Sequence, residues 1–102
     1  GRHFPDKDPQ YEGISSLILL QKTAEILRNH GFAPMNIDAT VIAQRPKLAP
    51  HIDQMRENIA AALSLSVEAV SVKATTTEHM GFEGEELGVS AHAMAMICKI
   101  SA

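Results

Sequence analysis

The run Ala-Thr-Thr-Thr-Glu at residues 74–78 carries the side chains of this sequence that are best placed for chemistry. It ends a segment in which Val70, Val72 and Ala74 alternate with polar residues, a pattern that predicts a β-strand. Ligands gather at strand ends in layered folds, and hydroxyl and backbone N–H groups there suit phosphate oxygens, which need many donors. Because consecutive threonines are also common in ordinary strands, a purely structural role is the alternative.

Two other runs could bind a substrate. The run Phe-Pro-Asp-Lys-Asp-Pro at residues 4–9 places Asp6 and Asp8 in a loop, where carboxylates and backbone groups could hold hydroxyls. The alternative is a turn stabilised by the aspartate side chains. The run Ala-Gln-Arg-Pro-Lys-Leu-Ala at residues 43–49 follows a second predicted strand and could offer backbone groups to a base and cations to phosphate. Its alternative is a strand-to-helix turn with solvated charges.

The five histidines do not indicate a metal site, because none stands at the spacings HxH, HxxxH or HExxH. His30 is expected in the last turn of a helix, and His92 on a strand face that is packed or at an interface. Cys98 lies in an apolar strand, which predicts a core residue. A single cysteine excludes an internal disulfide and fits a reducing compartment.

Two helices are predicted to position these runs. The first begins near Ser15 or Ser16, either of which could cap it, and Gly31 is a suitable stop. Its apolar face consists of Leu17, Leu20, Ala24 and Leu27. The second begins near Pro50, which is favoured in a first turn. Its apolar face consists of Ile52, Met55, Ile59 and Ala62.

Three strands are predicted, at residues 36–44, at 70–75 and at 89–100, with a loop at 81–88 before the last one. The order helix, strand, helix, strand, strand predicts an α+β fold, in which a single layer of helices packs on a small mixed β-sheet. The last strand is mostly apolar on both faces, whereas two helices can cover only one face of such a sheet. We therefore predict self-association through the other face.

The overall composition fits one globular domain of 102 residues, with 45% hydrophobic and 21% charged residues. The net charge of −3 argues against nonspecific binding to nucleic acid or to anionic membranes. No apolar run approaches the roughly 20 residues of a membrane span. The chain opens with Gly-Arg-His-Phe-Pro-Asp, which reads like the middle of a loop, so we expect an N-terminally incomplete domain.

In the order and spacing of these runs the sequence resembles the 2-C-methyl-D-erythritol 2,4-cyclodiphosphate synthase family of the non-mevalonate isoprenoid pathway. The resemblance rests on residues 4–9, 42–56 and 72–82 and on the final apolar strand. It implies a cytoplasmic bacterial homotrimer with active sites between neighbouring subunits. It also implies a phosphorus–oxygen lyase, which converts 4-diphosphocytidyl-2-C-methyl-D-erythritol 2-phosphate into the cyclic diphosphate and releases CMP. A trimeric cytidine-nucleotide-binding fragment without activity is the alternative.

The resemblance also implies roles for individual residues. Residues 4–8 would bind the methylerythritol unit, Gly1 the ribose, and residues 43–49 the cytosine. Thr75 and Thr76 would hold the α- and β-phosphates, with Thr76 stabilising the transition state. The full set of substrate-binding residues implied in this way is Gly1, Phe4, Pro5, Asp6, Lys7, Asp8, Ala43, Gln44, Arg45, Pro46, Lys47, Leu48, Ala49, Thr75, Thr76, Thr77, Glu78 and Phe82.

Two metal ions are implied by the same resemblance: a zinc ion and a second divalent ion, magnesium or manganese. Glu78 matches the ligand of the second ion. The zinc ligands of the family, an Asp-x-His pair and a later histidine, precede the part that this chain matches. The chain departs from the family at residues 84–88, where Glu85 and Leu87 replace an arginine and a glutamate. Glu85 would repel isoprenoid diphosphates at the mouth of the trimer's central cavity.

Overall fold

The computed structural model describes residues 15–44, 47–76, 80–81 and 88–100. Two helices, α1 (Ser16–Asn29) and α2 (Ile52–Leu63), and three strands make up the fold. The strands are β1 (Phe32–Ile42), β2 (Val70–Thr75) and β3 (Ser90–Lys99). Short 3₁₀ turns at Ala49–His51 and Val67–Ala69 precede α2 and β2. The predicted α+β class and order of elements are confirmed, and the described part of the chain has no helix long and apolar enough to cross a membrane.

The ends of α1 follow from its sequence. The Ser15 side chain accepts a hydrogen bond from the Ile18 N–H, which satisfies one of the free donors of the first turn. At the other end, His30 is the C-cap and its Nδ1 lies 2.8 Å from the Ile26 carbonyl oxygen. Gly31 follows with a φ of +86°, a left-handed conformation that glycine adopts without steric cost. The predicted cap and stop are both confirmed.

The sheet is mixed, with strand order β2-β1-β3. β2 runs parallel to β1, with Ile37 opposite Val70 and Ile42 opposite Thr75. β3 runs antiparallel to β1, with Ile42 opposite Ser90. Because a parallel pair ends at the same edge, the last residues of β1 and β2 lie side by side. A hydrogen bond from the Ala43 N–H to the Thr75 carbonyl oxygen, at 3.1 Å, extends this pairing one residue past β1.

β1 differs from its prediction, since it begins at Phe32 rather than at Asn36 and ends at Ile42 rather than at Gln44. Pro34 cannot donate to a neighbouring strand, which argued against a strand there. It is tolerated because β2 pairs with β1 only from Ile37 onward, so that, among the described strands, only β3 lies beside β1 at this point. A register shift between Pro34 and Asn36 further marks the site as a bulge.

The core lies between the helices and one face of the sheet. Ala60, Val70 and Val72 form its buried centre, and residues of the predicted α2 face, Ile52, Met55 and Ile59, pack against it. Ala24 of α1 is fully buried. Burial of these apolar side chains is the main stabilising contribution to such a layer. The predicted apolar faces of both helices are therefore directed as expected, although Leu17 in the first turn of α1 is 39% exposed.

The opposite face of the sheet is uncovered by any described element. Met94 and Met96 of β3 are 78% and 58% exposed, and His92 is exposed as well. Cys98 belongs to the same face and is half-buried, so the prediction that it is a core residue was wrong. Both faces of β3 carry apolar side chains, as predicted, and Cys98 lies on the face that no described helix covers. Asp38 and Lys73 form an ion pair across β1 and β2.

Candidate functional site

A pocket of about 260 Å³ lies where β1 and β2 end and α2 begins. Three short segments line it: Ala43 and Gln44 after β1, Lys47–Ala49 before α2, and Ala74–Thr76 at the end of β2. The parallel pairing of β1 and β2 brings the first and third segments together, and the chain between β1 and α2 supplies the second. Ligand sites at the carboxyl ends of parallel strands are a general feature of layered α/β sheets.

Small side chains create the space in this pocket. Ala43, Ala49 and Ala74 line it, and Ala43 is the buried member of the three. Alanine leaves room beside the backbone that a longer side chain would fill. Leu48, which is half-buried, adds an apolar wall. The alanines and Leu48 together can accept a flat apolar ring, and backbone groups at the strand ends can bind the polar edge of that ring.

Hydrogen-bond donors and one cation lie at the same pocket. The Thr75 hydroxyl donates to the Thr76 carbonyl oxygen at 3.4 Å, a long bond that an incoming acceptor can replace. Lys47 contributes an exposed ammonium group. The described lining residues include no aspartate, glutamate, histidine or cysteine. These lining residues can therefore bind and orient an anion, and Lys47 is the titratable side chain among those described.

The start of α2 holds one wall of the pocket in place. The His51 N–H donates to the Leu48 carbonyl oxygen at 2.8 Å and closes the 3₁₀ turn that begins at Ala49. Pro50, the predicted start of the helix, lies in this turn, and α2 proper begins two residues later at Ile52. The first N–H groups of a helix have no acceptor within the helix. Because proline has no N–H, it suits this position.

The structure brings together all of the predicted site residues that it describes. Ala43, Gln44, Lys47, Leu48, Ala49, Thr75 and Thr76 all line the one pocket, although they come from two runs more than 25 residues apart. The other predicted residues lie outside the described part of the chain: Gly1, Phe4, Pro5, Asp6, Lys7, Asp8, Arg45, Pro46, Thr77, Glu78 and Phe82. The departures at Glu85 and Leu87 lie outside it too.

One lining residue was missed by the sequence analysis. Ala74 was assigned to the strand alone, yet its small side chain lines the pocket beside Thr75. A strand residue directly before the threonine run was the available signal, because strand ends meet at one edge of a parallel pair. Within the described ranges no three His, Cys, Asp or Glu side chains form a group that could hold a metal ion.

Comparison with known proteins identifies the family. The model of the YgbB family matches residues 1–98. The chain belongs to the YgbB family. It is also similar, with 57% identity over 97 residues, to the 2-C-methyl-D-erythritol 2,4-cyclodiphosphate synthase of Syntrophomonas wolfei; the match covers 95% of this chain and 62% of that protein. The chain thus spans a little over three-fifths of the length of this YgbB-family relative.

Solved structures agree with the family. The bifunctional IspDF from Campylobacter jejuni is 37% identical, with a TM-score of 0.89, over 99% of this chain and 27% of that one. A complex of Plasmodium falciparum IspF with CDP is 25% identical, with a TM-score of 0.80, over 90% of this chain and 59% of that one. Both of these solved structures share the fold of the described part of this chain.

Proposed function

We propose that this protein is a 2-C-methyl-D-erythritol 2,4-cyclodiphosphate synthase. It would convert 4-diphosphocytidyl-2-C-methyl-D-erythritol 2-phosphate into the cyclic diphosphate and release CMP. The observation that carries the proposal is the pocket at the shared edge of β1 and β2, where two separate predicted runs meet. Membership of the YgbB family and similarity to the synthase of Syntrophomonas wolfei support the same reaction.

The pocket suits the cytidine diphosphate part of this substrate. Residues 43–49 would hold the cytosine, with the small side chains of Ala43 and Ala49 making room for the ring. Thr75 and Thr76 would donate to the α- and β-phosphates. A related structure, from Plasmodium falciparum, is described as a CDP complex, which supports a cytidine nucleotide as the ligand. Outside the described residues, 4–8 would bind the methylerythritol unit, and Gly1, Thr77 and Phe82 would complete the site.

The reaction needs positioning more than side-chain acid–base chemistry. An oxygen of the 2-phosphate attacks the β-phosphorus, a new P–O bond forms, and the bond between the β-phosphorus and the bridging oxygen breaks. That oxygen leaves with CMP. Transfer of this kind gains most of its rate from orientation and from neutralising charge on the phosphates. Donors from Thr75 and Thr76 and the cation of Lys47 supply both, and the described lining residues include no carboxylate that would repel the phosphates.

Two metal ions belong to this proposal. The carboxylate of Glu78 is a donor that magnesium or manganese accepts, and in the sequence it lies two residues after Thr76. A divalent ion there would neutralise phosphate charge. For zinc, the described residues offer no group of three His, Cys, Asp or Glu side chains that could bind the ion. The proposed zinc ligands are those of the family's N-terminal part.

A homotrimer is the proposed assembly, with the uncovered face of the sheet at the interface and the active site between neighbouring subunits. The exposed methionines of β3 support this assignment, because an apolar sheet face of this kind is unfavourable in water. We also propose a cytoplasmic location, on the basis of the synthase reaction for which the similar proteins are named.

The first test compares nucleotide binding and turnover in two matched variants. Ala49→Leu fills the pocket at an exposed alanine, and Ala61→Leu makes the same change at an exposed alanine of α2 that does not line it. We expect the purified protein, with Mg²⁺ and Zn²⁺, to yield CMP and the cyclic diphosphate. We expect Ala49→Leu to weaken CMP binding by about tenfold or more, and Ala61→Leu to leave it unchanged.

Three outcomes are distinguishable. Product formation that Ala49→Leu abolishes supports the synthase and its pocket. Binding of CMP without any product, detected by ³¹P NMR, would favour the cytidine-nucleotide-binding module instead. Failure to bind cytidine nucleotides, or equal loss in both variants, would refute the assignment of this pocket.

A further inference from the structure

Arg56 connects the helix that begins at the pocket with the strand that ends there. Its Nε donates to the Val70 carbonyl oxygen at 2.7 Å, and its Nη2 donates to the Val67 carbonyl oxygen at 2.9 Å. Val70 is the first residue of β2, and Val67 begins the 3₁₀ turn that precedes it. A guanidinium holds its donors in a rigid planar fork, so two simultaneous bonds fix both the distance and the angle of its partners.

The backbone carbonyls are the main partners of this arginine. The carboxylate of Asp53 lies one turn earlier on α2 at 3.5 Å from Nη1, and its side chain is 89% exposed. An exposed pair of this kind contributes little. The Arg56 side chain is only 30% exposed, and both bonds to carbonyl oxygens are partly shielded from water. Removing the guanidinium would therefore take one donor from each of these shielded acceptors, although the Val67 carbonyl oxygen would still accept the Val70 N–H.

Apolar packing leaves a gap at this place. A groove of about 280 Å³ lies between α2 and the first half of β2, lined by Ile52, Asp53, Arg56, Glu68, Val70, Ser71 and Val72. Close packing normally holds a helix on a sheet, and here Ile52, Met55 and Ile59 of α2 pack against the core. Arg56, in the second turn of α2, adds hydrogen bonds across the groove that lies beside this packing.

The position of α2 on β2 determines the shape of the pocket. One wall, Lys47–Ala49, leads directly into α2, and the other, Ala74–Thr76, is the end of β2. The chain that connects α2 to β2, residues 64–69, lies at the far end of both elements. Covalent linkage therefore does not fix the separation of the two walls, and noncovalent contacts between α2 and β2 must do so.

We propose that Arg56 is a positioning residue that sets the separation of the two pocket walls. It acts through α2 and β2 and touches no substrate. Its effect on nucleotide affinity rests on the proposed function, whereas its effect on the pocket wall does not. Loss of the two bonds lets the start of α2 move away from β2, which loosens the turn at Leu48–His51 and weakens ligand binding without unfolding the core.

The test uses Arg56→Met, which keeps most of the aliphatic stem, and Arg56→Lys, which keeps the charge but can reach one carbonyl at a time. Arg28→Met is the matched control, because Arg28 Nη2 donates to the Leu63 carbonyl oxygen at 3.0 Å and ties α1 to the far end of α2. Two readouts are measured on the intact protein: hydrogen exchange of the His51 amide, which needs no ligand, and the Kd for CMP. The Ile100 amide, bonded to the Gly31 carbonyl, serves as a reference far from the pocket.

We expect Arg56→Met to raise His51 exchange about tenfold relative to Ile100 and to raise the Kd for CMP by a similar factor. Arg56→Lys should show smaller increases in His51 exchange and in the Kd for CMP than Arg56→Met does. Arg28→Met should change the His51 exchange rate and the Kd for CMP by no more than about twofold. Equal acceleration at His51 and Ile100 would mean a purely structural role and would overturn the proposal. If Arg56→Met does not fold, Arg56→Lys decides by the same comparison.

The two hypotheses fail separately. If the unchanged protein does not bind CMP, the proposed function is wrong, and the exchange of His51 still tests the role of Arg56. If CMP binds but His51 exchange does not respond to either Arg56 variant, the pocket keeps its assignment and Arg56 loses its positioning role.

Discussion

Thr76 stands at the pocket because β2 ends one residue before it. A residue just past the end of a strand lies at the edge of the sheet where ligands bind in layered folds. Thr75 differs, because its carbonyl oxygen accepts the Ala43 N–H and continues the strand pairing. Of the two neighbours, Thr76 is therefore the residue whose change should affect a ligand more than the sheet.

Thr76→Ala tests the proposed transition-state role. We expect kcat to fall by about a hundredfold while the Kd for CMP changes by less than about threefold, because the hydroxyl would act on charge that develops at the transferred phosphorus. Steady-state kinetics and calorimetric CMP titration provide the two numbers. Ser71→Ala, on an exposed side chain of the same strand, is the control. Equal losses of kcat and CMP affinity would contradict the role.

At the scale of elements, the link between α2 and β2 contains a strained residue. Ser64 caps α2 with φ 57° and ψ 42°, a left-handed conformation that disfavours residues other than glycine. The Ser64 N–H donates to the Ala61 carbonyl oxygen at 3.4 Å, and the Leu65 N–H donates to that of Ala60 at 2.9 Å. These bonds finish the helix and turn the chain toward β2, so the conformation is retained although serine does not favour it.

Ser64→Gly should raise the free energy of unfolding by about 0.5 kcal/mol. Relief of about 1 kcal/mol of left-handed strain is partly offset by the greater entropy of glycine in the unfolded chain. Urea denaturation at a fixed protein concentration measures the change. Ser66→Gly is the control, because Ser66 is already extended, with φ −73° and ψ 153°, and has no strain to lose. This variant also loses the hydroxyl that bonds to Glu68, so its free energy of unfolding should fall. The explanation fails if both variants lose stability alike.

In the same link between α2 and β2, Ser66 affects the pKa of Glu68. The backbone N–H of Glu68 and the Ser66 side chain, both hydrogen-bonded to the Glu68 carboxylate, hold the pKa of Glu68 below its usual value. Any stability from this arrangement is present at neutral pH and is lost as the pH falls through the lowered pKa. Because Glu68 is fully exposed, we expect the turn before β2 to respond to acid only weakly.

For the whole molecule, the decisive feature is the uncovered face of the sheet. It combines exposed Met94 and Met96 with the ion pair of Asp38 and Lys73 in its middle. Apolar side chains on such a face favour association, and an ion pair already formed within one chain can be covered at a lower cost than an unpaired charge.

Met94→Glu should convert the proposed trimer into monomer, because association would bury an unpaired carboxylate. Light scattering coupled to size exclusion gives the mass directly. Gln21→Glu adds the same charge at an exposed position of α1 and should leave the mass unchanged. A Met94→Glu protein of unchanged mass would show that this face is not the interface.

Local patterns determined much of this protein. The face of α1 that carries Ala24, the cap at Ser15 and the stop at Gly31 all depend on residues three or four apart, or on one backbone angle. Such features need no distant partner, so the sequence predicts them. The run after β2 and the run after β1 are likewise recognisable in the sequence as candidate site residues, because each follows a predicted strand.

Tertiary structure decided what depends on distant partners. The parallel register of β1 and β2 brings Ala43 beside Thr75 and so makes one pocket of two runs. Pro34 lies within β1 only because β2 pairs with a later part of that strand. In the sequence, Arg56 is one of several charged residues of a helix. Only the tertiary structure brings the carbonyl oxygens of Val67 and Val70 beside its guanidinium. Strand pairing and helix docking join residues far apart in the chain, and no local periodicity encodes which of them will meet.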